Sequence, residues 1–260
     1  MTSSRRQFLQ IASAGAVGAA LGSAAVPTLG MIFPPANYPV PPEATLLYPS
    51  GIRFLAEGVG LQKMTAEEYD RVFGRILPAA EKLAKEGSNA ISVMGTSLTF
   101  YKGAEYEHQL KVNVTKATGL PSTTMSTGIV EGLKALNARR VAVATAYDED
   151  VSHRLRVFLE ESGFEVVSVK GLGIVSFQDR GPVTPDELFN FSASVYEGAP
   201  KAEALVISCG GLKTLDLIVP LEKRCQRPVV SSTPHALWAS VRLLGLSGQA
   251  KGFGAVLAKG

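Results

Sequence analysis

The chain has 260 residues, 46% of them hydrophobic, and a formal net charge of only +3. That is enough apolar material for one sizeable α/β core or two small lobes, and it excludes a disordered chain. There is no long Lys/Arg run and no aromatic ladder, so the weakly basic balance reads as ordinary solvated charge, not as a nucleic-acid surface.

In chain order the first segment is unlike the rest. Arg5-Arg6-Gln7-Phe8-Leu9 leads into an uncharged, Ala/Gly-rich stretch that ends in small residues at Ser23-Ala24-Ala25. A positive end, a mildly apolar middle and a small-residue cleavage site read as a twin-arginine export signal over residues 1–25. A permanent span would want roughly 20 strongly apolar residues. The mature chain is therefore expected to keep no membrane segment, to meet the twin-arginine translocase during export, and to work in the periplasm or beyond. Export would put Cys209 and Cys225 in an oxidising compartment. Two cysteines in a large α/β chain, one at a strand end and one at a helix end, still do not make a disulfide framework.

Beyond the signal, short β-branched runs alternate with helical stretches, the pattern of βα units around mainly parallel sheets. Strands are predicted at 29–33, 90–94, 122–125, 140–145, 165–169, 204–208 and 229–232, and helices at 66–86, 104–118, 128–136, 150–162, 185–196, 214–225 and 235–244. In the first helix Tyr69, Val72, Phe73, Ile76 and Leu77 keep the 3.6-residue period.

Three landmarks recur in the same order. Leu29-Gly30-Met31-Ile32-Phe33 matches Arg140-Val141-Ala142-Val143-Ala144, Ile91-Ser92-Val93-Met94-Gly95 matches Leu205-Val206-Ile207-Ser208-Cys209, and Leu120-Pro121-Ser122-Thr123-Thr124 matches Arg227-Pro228-Val229-Val230-Ser231. The offsets, by subtraction of the first positions, are 111, 114 and 107. A single repeat at this spacing implies two similar lobes, residues 26–136 plus 235–260 and residues 137–234. Ligands of open parallel sheets bind beyond the carboxyl ends of the strands. The site is therefore expected between the lobes, built from loops of both.

Cofactor signatures are missing: no complete GxGxxG follows a strand, and there is no P-loop and no GxSxG elbow. His108, His153 and His235 are scattered without metal-ligand spacing, so no metal is expected and each histidine reads as a surface or capping residue. What remains is the matched pair of strand-end loops, Met94-Gly95-Thr96-Ser97-Leu98 and Ser208-Cys209-Gly210-Gly211-Leu212. Small and hydroxylic residues there let backbone amides and hydroxyls point at a carboxylate or a developing enediolate. Cys209 is at the apex of the second loop, where a thiol near amide dipoles can transfer a proton to carbon. Thr96 and Ser97 also suit the role of helix caps.

Met94-Gly95-Thr96-Ser97-Leu98 with Phe100-Tyr101, Thr118-Gly119-Leu120-Pro121 with Thr124-Met125-Ser126-Thr127, the run 140–147, and Ser208-Cys209-Gly210-Gly211-Leu212 with Thr214-Leu215-Asp216 resemble the arylmalonate decarboxylase family of the aspartate/glutamate racemase superfamily. Gly30-Met31-Ile32 with Pro34-Pro35, and Tyr48-Pro49, extend the likeness over nearly the whole chain. The resemblance implies a racemase-like α/β fold of two similar lobes, each a mainly parallel sheet flanked by helices. It also implies cofactor-free decarboxylation of a small dicarboxylate, a disubstituted arylmalonate, to a chiral monoacid. One carboxylate is expected in a dioxyanion hole of Thr96, Ser97, Tyr147 and the Cys209–Gly210 backbone. The other faces a pocket of Pro34, Leu61, Met64, Tyr69, Phe177 and Gly211 beside Gly95, and Cys209 protonates the enediolate.

The wider superfamily carries a cysteine in each loop, whereas this chain has Gly95 in the first slot. A single acid serves one face of a planar intermediate, which disfavours a racemase or a maleate-type isomerase. The other rival is an exported carboxylate-binding protein in which Cys209 is incidental. Bulky Phe177 and cationic Arg180 depart from the family's smaller or apolar pocket residues. An inward Arg180 would pair with the carboxylate that the pocket is meant to leave unsolvated.

Overall fold

The computed structural model describes residues 26–259 apart from 177, 179 and 180. The export signal expected over 1–25, and the positions Phe177 and Arg180, lie outside the described residues.

The first half runs β1 (Thr28–Phe33), α1 (Pro42–Leu47), β2 (Arg53–Gly58), α2 (Ala66–Phe73), α3 (Ile76–Lys85), β3 (Ala90–Val93), α4 (Thr96–Phe100), α5 (Ala104–Thr118), β4 (Ser122–Thr124) and α6 (Met125–Ala135). The second half runs β5 (Arg140–Thr145), α7 (Glu149–Glu161), β6 (Glu165–Gly171), α8 (Pro185–Glu197), β7 (Ala204–Ser208), α9 (Leu215–Cys225), β8 (Val229–Ser231) and α10 (Ser232–Leu243). These strands form two four-stranded sheets of orders β2-β1-β3-β4 and β6-β5-β7-β8, in which every recorded pairing is parallel. The inner strands β1, β3 and β7 are buried along their whole length and β5 at all but its first residue. Helices on both faces account for their continuous apolar runs.

The repeat is thus complete, with one strand pair more than the three landmarks reveal. The fourth pair is β2 and β6, the lateral strands. Arg53-Phe54-Leu55-Ala56-Glu57-Gly58 has no β-branched residue and an exposed start, so only its ladder with β1, from Thr28 opposite Arg53 to Phe33 opposite Gly58, makes it a strand. Both lateral strands end in a glycine under a crossing loop. A Cβ on Gly58 would lie 2.1 Å from the Pro35 carbonyl oxygen, and one on Gly171 would lie 2.1 Å from that of Tyr147.

Three helices differ from the sequence reading in their boundaries. The helix expected over 66–86 is two helices, because Pro78 lacks an N–H and its ring collides with a preceding helical turn. It is tolerated only in the first turn of a new helix, here α3. Helices α6 and α10 begin three residues earlier than expected, directly on the last residues of β4 and β8. Thr124 accepts the Thr127 N–H at 2.9 Å, and His235 Nδ1 accepts the Ser231 N–H at 3.0 Å. The Thr124 cap and the Ser231–His235 bond each seat a helix directly on its strand end, without a connecting loop. The two helices pack so closely that a Cβ on Gly128 would meet the Ala236 Cα at 2.7 Å, and α10 thereby leans on the first sheet's helices. No helix among the described residues is long and apolar enough to cross a membrane.

Candidate active site

In each sheet the chain leaves the two inner strands toward opposite sides, which opens a crevice at their carboxyl ends. The two crevices share one cleft of about 430 Å³. Into it project Pro34 after β1, Leu61 and Met64 after β2, and Gly95, Thr96 and Ser97 after β3. From the second lobe come Tyr147 after β5 and Cys209, Gly210 and Gly211 after β7. All but two of the residues expected from the sequence therefore meet here. Phe177 is outside the described residues. Tyr69 does not line the cleft but lies behind it, fully buried, its ring 4.3 Å from that of Tyr101 and its hydroxyl toward Ser97.

The loop after β2 is tied down on both sides. Leu61 donates its N–H to the Pro34 carbonyl at 2.6 Å, and Met64 donates across the cleft to the Val175 carbonyl at 3.0 Å. Glu68 braces the same loop by accepting the Gln62 N–H at 2.9 Å and the Arg71 guanidinium at 2.7 Å. Arg71 first, then the loop amide, hold that carboxyl down to about 2.

Cys209 has φ +147°, a backbone region that favours glycine and strains other residues. Its side chain is buried against the amides of Gly211 and Leu212 and the Tyr147 phenol. Burial dominates and pushes the thiol up to about 11, with those hydrogen bonds offsetting part of the rise. At neutral pH the sulfur thus keeps its proton, the form a proton donor needs. Tyr147 is likewise raised well above its usual value, first by burial and then by the neighbouring Cys209. Its hydroxyl lies 3.4 Å from Ser208 Oγ and turns toward Thr96.

Across the cleft, Gly95 is the N-cap of α4, so Thr96 and Ser97 fall in the first turn and neither side chain caps the helix. Thr96 Oγ1 lies 2.8 Å from Ser232 Oγ and 2.9 Å from Met125 Sδ. A Cβ on Gly95 would meet Pro34 Cγ at 2.6 Å and Leu98 Cβ at 3.0 Å, so a larger residue there must displace the proline ring. One detail of the expected hole differs. The Cys209 N–H is committed to Ser232 Oγ at 3.0 Å, whereas the Gly210 N–H meets no acceptor among the described residues.

Phe33, Tyr38, Gln62, Lys63, Val175 and Ser176 also line the cleft and were not singled out from the sequence. The Phe33 and Tyr38 rings stack at 4.6 Å. Phe33 precedes the quoted Pro34-Pro35 pair, which is a usable signal; Tyr38 and Lys63 carry none. His235 is buried and neutral, held down to about 4 by burial, while His108 and His153 are exposed. Cys209 and Cys225 are both free thiols.

Residues 29–257 match the arylmalonate decarboxylase family. The chain belongs to that family. It is 44% identical over 232 residues to the arylmalonate decarboxylase of Bordetella bronchiseptica, a match covering 89% of this chain and 96% of that protein. Among solved structures, a double mutant of arylmalonate decarboxylase in its liganded form superposes with a TM-score of 0.85 at 43% identity, over 88% of this chain and 98% of that one. A maleate isomerase from Pseudomonas putida S16 superposes with a TM-score of 0.82 at 20% identity, over 90% and 98% of the two chains, which extends the two-lobed fold beyond the family.

The raised thiol has a direct reactivity consequence, since only the thiolate is alkylated. Iodoacetamide labelling of Cys209, followed by peptide mass, is expected to be slow near neutral pH and to climb only as the pH approaches about 11. An unperturbed thiol would give a midpoint near about 8.5, which would contradict the buried, protonated state.

Proposed function

We propose that this member of the arylmalonate decarboxylase family converts a disubstituted arylmalonate to a chiral monocarboxylic acid and CO₂ without a cofactor. The observation that carries this reading is the buried, protonated Cys209 facing a cradle of Thr96, Ser97, Tyr147 and the Gly210 amide, with a glycine and not a second acid at position 95. One malonate carboxylate sits in the cradle. The other is pressed against Pro34, Leu61, Met64 and Gly211, a largely apolar wall on which a charge is destabilised by several kcal/mol. The bond from the α-carbon to this second carboxylate breaks heterolytically, CO₂ leaves, and the electron pair passes into an enediolate held by the cradle.

Cys209 then gives its proton to the α-carbon. The resulting thiolate is held by the Gly211 and Leu212 amides and the Tyr147 hydroxyl until water reprotonates it. Because the proton comes from one side, the product is a single enantiomer. A two-thiol racemisation has no support, because Gly95 supplies no second acid.

The test is to incubate the purified protein with a panel of 2-substituted arylmalonates in the presence of a metal chelator and to measure CO₂ and monoacid. One equivalent of each is expected per substrate consumed. Tight carboxylate binding with no CO₂ from any malonate would favour a capture protein instead.

We also propose export through the twin-arginine translocase, with a periplasmic or extracellular mature protein. The support is the Arg5-Arg6-Gln7-Phe8-Leu9 head and the uncharged stretch behind it. Replacing Arg5 and Arg6 by lysine is expected to retain the protein in the cytoplasm on fractionation, and unchanged export would refute the assignment.

A further inference from the structure

Ser232, the first residue of α10, is only 1% exposed and does not line the cleft. At the repeat's offset of 107 positions it stands where Met125 opens α6 in the first lobe. Both residues reach Thr96 Oγ1, Met125 through its sulfur at 2.9 Å and Ser232 through its hydroxyl at 2.8 Å. Ser232 does one thing more: its Oγ accepts the Cys209 N–H at 3.0 Å. A hydroxyl thus occurs at this junction only in the lobe that carries the thiol. It joins the proton donor's backbone, at the end of β7, to a cradle hydroxyl at the end of β3.

Ser232 Oγ is the shared acceptor of the junction: one lone pair takes the Cys209 N–H at 3.0 Å and the other takes the Thr96 hydroxyl at 2.8 Å. The Thr96 oxygen is thereby held at a fixed distance from the backbone of the proton donor. The same hydrogen bond from Cys209 fixes a peptide whose φ of +147° a non-glycine residue would otherwise leave. We infer that Ser232 is a positioning residue, which locks the thiol and the carboxylate cradle into one unit spanning the two lobes. The inference rests on the decarboxylase reading for its kinetic consequences and on the hydrogen bonds alone for its effect on the thiol.

The experiment compares the wild-type chain with Ser232→Ala and with the Thr96→Val, Ser232→Ala double variant. In Ser232→Ala, kcat is expected to fall about 10- to 100-fold with KM within about threefold, since a small misplacement of a reacting group costs rate more than binding. The double variant is expected to lose less than the product of the two single losses, because the Thr96–Ser232 contact is counted in both, while the loss of the Cys209 anchor persists in it. Freed from its anchor, Cys209 is expected to react with iodoacetamide at pH 8 at least about fivefold faster, a readout that needs no turnover.

A folded Ser232→Ala protein with wild-type kcat and wild-type alkylation rate overturns the inference, as does full additivity in the double variant. Should the alanine variant not fold, Ser232→Cys keeps the volume with a weak acceptor, and wild-type kcat and labelling there overturn it equally. A wild-type chain that releases no CO₂ sinks the decarboxylase reading instead, and the alkylation comparison then decides the role of Ser232 by itself.

Discussion

Cys209→Ala is expected to lower the rate of CO₂ and monoacid formation by about 10²- to 10⁴-fold, the contribution of a positioned general acid. The enediolate would still form in the cradle, but with no thiol at its open face it must recapture CO₂ or wait for water, which the apolar wall holds back. Cys209→Ser is expected to fare nearly as badly, because an alcohol is a far weaker acid than a thiol. Stability should move separately from activity. The φ of +147° at this position favours glycine, so Cys209→Gly is expected to be more stable than Cys209→Ala by about 1 kcal/mol in denaturant titrations, although both lack the thiol. Equal stability of the two would show that the backbone at 209 is not strained. Wild-type turnover in either would remove the thiol from the mechanism.

The second large effect concerns the cradle. Thr96→Val and Ser97→Ala are each expected to lower kcat by about 10²- to 10³-fold, equivalent to about 3 kcal/mol of transition-state stabilisation per donor. The competing role of these hydroxyls, capping the next helix, gives the opposite pattern: a stability loss of about 1 kcal/mol and an undisturbed kcat. Because Gly95 is the N-cap and neither side chain makes a cap bond, thermal unfolding of Ser97→Ala should stay close to wild type, while Thr96→Val should lose about 1–3 kcal/mol through its buried bond to Ser232 and not through a cap. Kinetics measured beside a melting curve therefore separates the two roles. A lowered melting point with unchanged kcat would remove Thr96 and Ser97 from the site.

The sequence exposes those parts of the molecule that are local. Runs such as Arg140-Val141-Ala142-Val143-Ala144 can only be strands covered on both sides, and their recurrence implies the two-lobed plan. The lateral strand β2 escaped because its own residues lack strand character and its identity comes from pairing with β1. The split of α2 from α3 was readable in Pro78, but the strong apolar period around it masked that signal.

At the site, the strand-end rule placed Gly95 to Ser97 and Cys209 to Gly211 in one cleft, while the roles of Leu61 and Met64 came from family resemblance alone. Tyr69 shows the limit of such transfer, since its ring is one layer behind the cleft wall. Ser232, Tyr38 and Lys63 depend on how the lobes and loops meet in space. The commitment of the Cys209 amide to Ser232 depends on a backbone conformation that no sequence pattern announces.

The most direct test is the handedness of the product. A prochiral 2-aryl-2-methylmalonate turned over in D₂O should yield one enantiomer of the monoacid carrying one deuterium at the α-carbon, as a lone thiol on one wall requires. A racemic deuterated product would mean that protonation comes from bulk water or from both faces, and the proposed role of Cys209 would fall.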